Sequence, residues 1–248
     1  MTDPTPDVPR EFVEADLSGA RFVRSDLRRV VMRGVEIAGA EIDSPWLLEG
    51  GATLIVNGVD VAPLVDAELD RRFPGRELRR ADDPDGLRAA WTALQQTWDA
   101  TLRRAAALPV GTVDESVDGE WSFAQTLRHL VFATDVWLRR AILDVERPYH
   151  PIGQFIPESV EDGVDVSQFR TDVPAYAEVL DVRAERVAMV CGFLASLTID
   201  DLAAERANPW APQYTETVLS CVRTILEEEW EHHRYAVRDL DAIAARRH

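Results

Sequence analysis

Near the C-terminus a glutamate and a histidine four residues apart occur twice in overlapping register: Glu228 with His232, and Glu229 with His233. On a helix this spacing puts both side chains of a pair on one face, about one turn apart. A carboxylate and an imidazole so placed can hold a divalent metal, or can hydrogen-bond to each other in a core without one. The flanking pattern separates the pairs. Val218, Val222, Leu226, Ala236, Leu240 and Ile243 recur at helical spacing, and Glu229 and His233 fall inside that apolar stripe. Position 228 shares a face with Thr224, Glu227, Glu231 and Arg238, which reads as solvated. Glu228 and His232 are therefore expected to be a surface pair of little energetic weight. The expectation centres on Glu229 and His233, because burying them is costly unless something pairs with them.

These residues need elements to position them, and four long helical patterns supply them. The first runs from about Asp85 to Ala107, with Leu87, Trp91, Leu94, Trp98 and Leu102 on one face. The second opens at Trp121-Ser122, where Ser122 as N-cap and Gln125 form a capping-box pattern, and runs to about Leu143. The third spans roughly Val173 to Leu197, followed by a minor helix over Ile199 to Arg206. The last covers Thr217 to Ile243, entered after Pro209 and Pro212. Four such helices predict an all-α antiparallel four-helix bundle over 85–246. His129 lies on the second, at the edge of its apolar face, and in a bundle can point across to the last. Taken alone it reads as an interfacial histidine. With Glu229 and His233 it makes a three-ligand metal set that leaves positions open for water or substrate, as catalytic sites do.

Trp121-Ser122, His129-Leu130, Asp135-Val136-Trp137 and His232-His233-Arg234 together resemble the DinB-like superfamily, over about Asp85 to Ala245. Its members include bacillithiol and mycothiol S-transferases and mycothiol-dependent isomerases. The resemblance implies a metal-binding bundle with one histidine on the second helix and two, four apart, on the last, holding Zn²⁺, Ni²⁺ or a similar ion. His129 and His233 match that pattern, and Glu229 stands where the family usually has histidine. A His₂Glu set still suits Zn²⁺, with added negative charge that favours harder ions.

Between the second and third helices, about Asp144 to Asp172, no helical period is present. Such a length of loop suits a lid or binding loop. His150 within it reads as a solvated loop histidine, with a proton-shuttling role as the sharper alternative.

The N-terminal fifth has a different period. From Arg10 to Ser44 a large apolar residue returns every five positions, at Phe12, Leu17, Phe22, Leu27, Met32, Ile37 and Ile42, with mostly small or branched residues two places earlier. Neither helix nor strand generates a strict five. The pattern resembles the pentapeptide-repeat family, which implies a short right-handed β-helix. Asn57-Gly58 between Leu54-Ile55-Val56 and Val59 to Val61 is a strong hairpin signal and would close the coil. The expected division is a repeat coil with closing hairpin over 10–62, a charged linker over 63–84, and the bundle over 85–246.

Bulk properties narrow the function. A formal net charge of −17 argues against nucleic acid or an anionic membrane as partner. No apolar run reaches the length of a membrane span, and MTDPTPDVPREF lacks a signal-peptide core, so a cytoplasmic protein is expected. All 27 permanent cations are arginines, which removes lysine Schiff-base chemistry. Cys191 and Cys221 sit in apolar helical contexts with no basic residue three or four positions away, and read as reduced core residues rather than nucleophiles.

Two functions follow. In the first, the metal activates a thiol cosubstrate such as mycothiol for transfer to a small-molecule electrophile, or activates water for hydrolysis. Arg140, Arg170 or Arg234 would bind polar or anionic groups. In the second, the chain is a non-catalytic binding or assembly module, pairing through the repeat coil with a partner such as a second copy in a homodimer.

Overall fold

The computed structural model describes residues 11–247, so Arg10, with which the five-residue register begins, lies outside the described residues. The chain divides into two compact units, the first ending at Asp43 and the second beginning at Ser44.

In residues 11–43 the five-residue sequence period is a backbone period. A left-handed residue returns every fifth position, at Glu14, Gly19, Arg24, Arg29, Gly34 and Gly39, with φ between 48° and 77°. Capping repeats every ten. Asp16, Asp26 and Glu36 each accept the N–H two residues ahead, at Ser18, Arg28 and Ala38, and the turn that follows each closes by a backbone bond such as Ala20 N–H to Leu17 O at 2.9 Å. The expected β-helix does not form a ladder: no strand occurs among the described residues of this unit. The central side chains that a solenoid would turn inward are exposed, from 46% at Leu27 to 67% at Phe12. So short a run has no full coil above or below to cover each apolar side chain.

The second unit opens with the hairpin foreseen at Asn57-Gly58. Strands β1 (Ile55–Val56) and β2 (Val59–Asp60) pair antiparallel, and both turn residues are left-handed, as a two-residue hairpin loop of this kind requires. By contacts this hairpin falls within the second unit rather than with the repeats.

The expected linker is a structured part of the same unit. Helix α1 (Ala62–Arg72) is followed by a 3-10 turn over Arg76–Arg80. The charge that reads as linker is consumed internally. Asp66 and Asp70 on α1 pair with Arg76, Arg79 and Arg80 at 2.5–3.2 Å, and Arg76 and Arg79 are buried. Gly75 makes the bend with φ +95°, and a Cβ there would lie 3.1 Å from that of Ala93, so only glycine lets the turn close onto the next helix.

That helix, α2 (Pro84–Ala106), starts at an Asp83 cap and buries Leu87, Trp91, Leu94 and Trp98. Helix α3 (Phe123–Thr134) begins with the Ser122/Gln125 capping box and continues as a π-helical segment over Asp135–Ile142. Helices α4 (Tyr176–Ser196), α5 (Ile199–Leu202) and α6 (Val218–Arg246) complete the helical set. The minor helix is shorter than expected. Its last residues enter a hairpin, β3 (Glu205–Ala207) with β4 (Thr215–Thr217), and Val218 then starts α6.

Helices α2, α3, α4 and α6 enclose one apolar core as a helical bundle, in which α3 packs on both α4 and α6 and α2 packs on α6. Cys221 lies in that core, whereas Cys191, off the buried stripe of α4, is exposed and so departs from its expected core position. A second, smaller cluster joins Phe132 and Val136 to Tyr149, Val164, Phe155, Phe169 and Trp210, seating the long 144–172 loop on α3. Among the described residues no helix is long and apolar enough to cross a membrane.

Candidate metal centre

Helix α6 packs against α2 on one side and against α3 and its π-helical extension on the other. Side chains a residue apart on α6, turned by about 100°, therefore meet different neighbours. The two Glu/His pairs divide along this line.

Glu229 and His233 are buried as expected, 1% and 3% exposed, yet each is anchored away from the other. Arg183 of α4 donates through Nη2 to both carboxylate oxygens of Glu229, at 2.5 Å each. Burial pushes the Glu229 carboxyl upward, and the Arg183 guanidinium pulls against it. His233 Nε2 lies 2.8 Å from the Thr101 hydroxyl of α2, and its ring is set edge-on to Trp98, Phe73 and Trp230. Neither faces His129. The expected set of His129, Glu229 and His233 is thus not brought together: Arg183 of α4 holds Glu229, and Thr101 of α2 holds Nε2 of His233.

His129 meets the other pair instead. One donor atom from each of His129, Glu228 and His232 lies within 4.8 Å of the other two. The His129 Nε2 and Glu228 Oε2 atoms are 3.4 Å apart, and the two imidazole centroids 4.5 Å. Two donors about 2.1 Å from a tetrahedral ion stand about 3.4 Å apart, the separation found here. His129 Nδ1 is 3.0 Å from the Gln154 carbonyl. His232 Nδ1 is 2.8 Å from the Glu228 carbonyl. A carbonyl only accepts, so each Nδ1 donates; in His129 this turns Nε2 to the cluster, 3.4 Å from Glu228 Oε2, whereas His232 approaches the same oxygen through Nδ1, also at 3.4 Å. Burial first, then His129 beside it, pushes His232 down to about 4 despite Glu228. Burial raises the Glu228 carboxyl, but its contacts with His129 and His232 more than offset that and hold it below the usual range. A Glu228 carboxyl held low and a His232 imidazole pushed down to about 4 suit ligation of Zn²⁺ or a similar cation at neutral pH.

The walls are aromatic. Trp121 lies against both rings, at 4.7 Å from His129 and 6.3 Å from His232, with Phe132 at 6.0 Å from His129 and Tyr235 edge-on to His232 at 6.1 Å. The loop that offers the Gln154 carbonyl is tied down by buried Asp135, which accepts the His150 N–H at 2.7 Å and the Arg186 Nε at 2.7 Å. Gln154 N–H in turn donates to Arg128 O at 3.1 Å. His150 is thereby an anchor of the loop through its backbone. Of the arginines considered for substrate groups, Arg170 pairs with Asp172 and Glu178, and Arg234 with Glu231, while Arg140 donates to the Tyr149 hydroxyl at 2.7 Å.

Glu228 and His232 carry the same spacing signal as their neighbours. What sequence reasoning lacked was the occupant of their face: Trp121 and a loop without periodicity, which turn a stretch that reads as solvated into a half-buried one.

Comparison with protein-family models gives two matches, to the DinB superfamily over residues 93–236 and to pentapeptide repeats, in eight copies, over residues 11–43. No curated protein and no solved structure matches the chain.

Proposed function

This chain belongs to the DinB superfamily, and from that premise we propose that His129, Glu228 and His232 hold a divalent metal, Zn²⁺ or Ni²⁺, at an open site serving thiol chemistry on a small molecule. The observation that carries this reading is the convergence of three donors from two helices, with the His129 ring held by the Gln154 carbonyl so that its Nε2 faces Glu228. The metal, when bound, supplies Lewis acidity that lowers the pKa of a thiol. The chain's own part is positional. The Gln154 and Glu228 carbonyls fix ring orientation, Glu228 balances cationic charge, and Trp121 and Phe132 keep water from one side. The thiol is a cosubstrate of the mycothiol type, transferred to an electrophile. Cys221 does not replace it: burial pushes that thiol up to about 11. Metal-assisted hydrolysis would use the same three residues.

Metal analysis and a thiol-consumption assay across mycothiol, bacillithiol and a panel of electrophiles test the reading. One metal per chain is expected, lost in His129→Ala, Glu228→Gln and His232→Ala and kept in Glu229→Gln. A folded protein without metal, or one whose metal survives all three ligand changes, would sink it.

A second reading, a non-catalytic assembly module, draws on the exposed Phe12, Phe22, Met32 and Ile42 of the repeats. The left-handed residue at every fifth position supports a β-helical coil there, one that pairing with a second copy would complete. Concentration-dependent dimerisation lost on deleting residues 1–43 would favour it.

A further inference from the structure

A cavity of about 550 Å³ lies away from the three donors' own residues, between the C-terminal end of the π-helical segment and the β3–β4 hairpin. Its volume falls within the range of small-molecule sites. Arg140, Asp144, Glu205, Arg206 and Asn208 contribute its polar lining.

The two arginines distinguish it. Most guanidinium groups of the helical unit that are held in place are held by carboxylates, as at Arg76, Arg79, Arg170, Arg183 and Arg186. Arg140 and Arg206 are held by neutral oxygens. Arg140 Nη1 donates to the Tyr149 hydroxyl at 2.7 Å. Arg206 donates through Nε to the Ile142 carbonyl at 3.1 Å and through Nη1 to the Glu205 carbonyl at 2.8 Å. Neither forms an ion pair among the described residues, although Asp144 and Glu205 line the same cavity. Each guanidinium is thus fixed in direction, keeps its full charge, and retains an Nη2 without a protein acceptor among the described residues. Two oriented guanidinium groups on one cavity suit an oxyanion, since each can donate in parallel to two oxygens.

We propose that the cavity bounded by Arg140 and Arg206 binds a small oxyanion, a carboxylate or phosphate group of a small molecule. Asn208 does not compete for it: its side chain is committed to Glu216 and to the Trp210 and Ala211 N–H groups. Asp144 and Glu205 on the wall discriminate against highly charged anions and set a modest affinity.

Isothermal titration of the full-length protein, dialysed free of metal, with succinate and with inorganic phosphate tests this. At least one of the two probes is expected to bind with a dissociation constant on the order of 1 mM or tighter; which one separates a carboxylate site from a phosphate site. Arg206→Gln and Arg140→Gln should each weaken binding by about tenfold or more, the loss expected for one charge-assisted bidentate contact. Asp144→Asn should tighten it, and it tests the site without removing either arginine. Circular dichroism melts confirm that each variant is folded. Absence of binding by both probes, or binding indifferent to Arg140, Arg206 and Asp144, overturns the proposal.

Discussion

Arg183 reaches across from α4 to bridge both carboxylate oxygens of Glu229, so the more deeply buried glutamate of α6 is closed to a metal while its neighbour Glu228 faces His129. Arg183 and Glu229 form an ion pair buried in the bundle core. Removing one member leaves a bare charge in the core. Glu229→Leu or Arg183→Leu should each cost about 3–5 kcal/mol in urea unfolding, and the double variant should recover most of that loss. Metal content should fall in neither single variant under conditions where it folds. Additive losses in the double variant would show that the two residues act separately.

Acid should unfold the metal-free protein by way of its histidines. Burial pushes both His232 and His233 down to about 4, from 6.5 in an unfolded chain. The unfolded chain therefore takes up protons first. This contribution to stability is fully present above about pH 6.5 and is lost as pH falls toward 4, at up to about 1.4 kcal/mol per pH unit for each imidazole. Urea midpoints of dialysed protein should decline through that window, and His233→Gln should flatten the decline. A midpoint that stays level between those limits would refute it.

The two thiols should separate cleanly in a labelling experiment. Cys191 is exposed on α4, whereas Cys221 is in the core with its thiol pushed up to about 11 by burial and by nearby Glu216. Ellman's reagent should release one equivalent from the native protein at neutral pH and a second only on unfolding. Rapid release of two equivalents would mean that the α6 face around Cys221 opens readily.

Gly75 reports whether the segment before α2 belongs to the helical unit. Its φ of +95° strains any other residue, and an added Cβ would also press on Ala93 at 3.1 Å. Gly111, with φ of +89° and open space around it, carries the strain alone. Both alanine variants should be destabilised by about 1–3 kcal/mol from strain, and Gly75→Ala should be the worse of the two. Equal costs would mean that the Arg76–Arg80 turn packs loosely on α2.

Helices α2, α3 and α6 were legible because each carries a strong apolar stripe and, at Ser122/Gln125, a capping pattern that the structure keeps, whereas the stripe of α4 is interrupted by buried Arg183 and Arg186. His129 was legible as a residue at a seam. The choice between the overlapping Glu/His pairs was not. The apolar stripe marks Glu229 and His233 as buried, which they are, but burial does not name what a polar group meets there. Arg183 and Thr101 lie on α4 and α2, where nothing in the spacing announces them as those partners. The face of Glu228 and His232 reads as solvated because its cover, Trp121 and the loop at Gln154, has no period to detect. The charged run over 63–84 misled for a related reason: Asp66, Asp70, Arg76 and Arg79 neutralise one another at a packed surface, and composition alone cannot tell that from a solvated tether.

Two Glu/His pairs offset by a single residue on one helix make α6 a vernier. Lengthening or shortening the junction between β4 and Val218 by one residue, if the helix kept its axis, would swing Glu227 or Glu229 toward the place Glu228 now holds, and would take Glu229 away from Arg183. The junction's length is therefore under tighter constraint than the exposed turn over 160–163, and insertions should be tolerated there before they are tolerated between Thr217 and Val218.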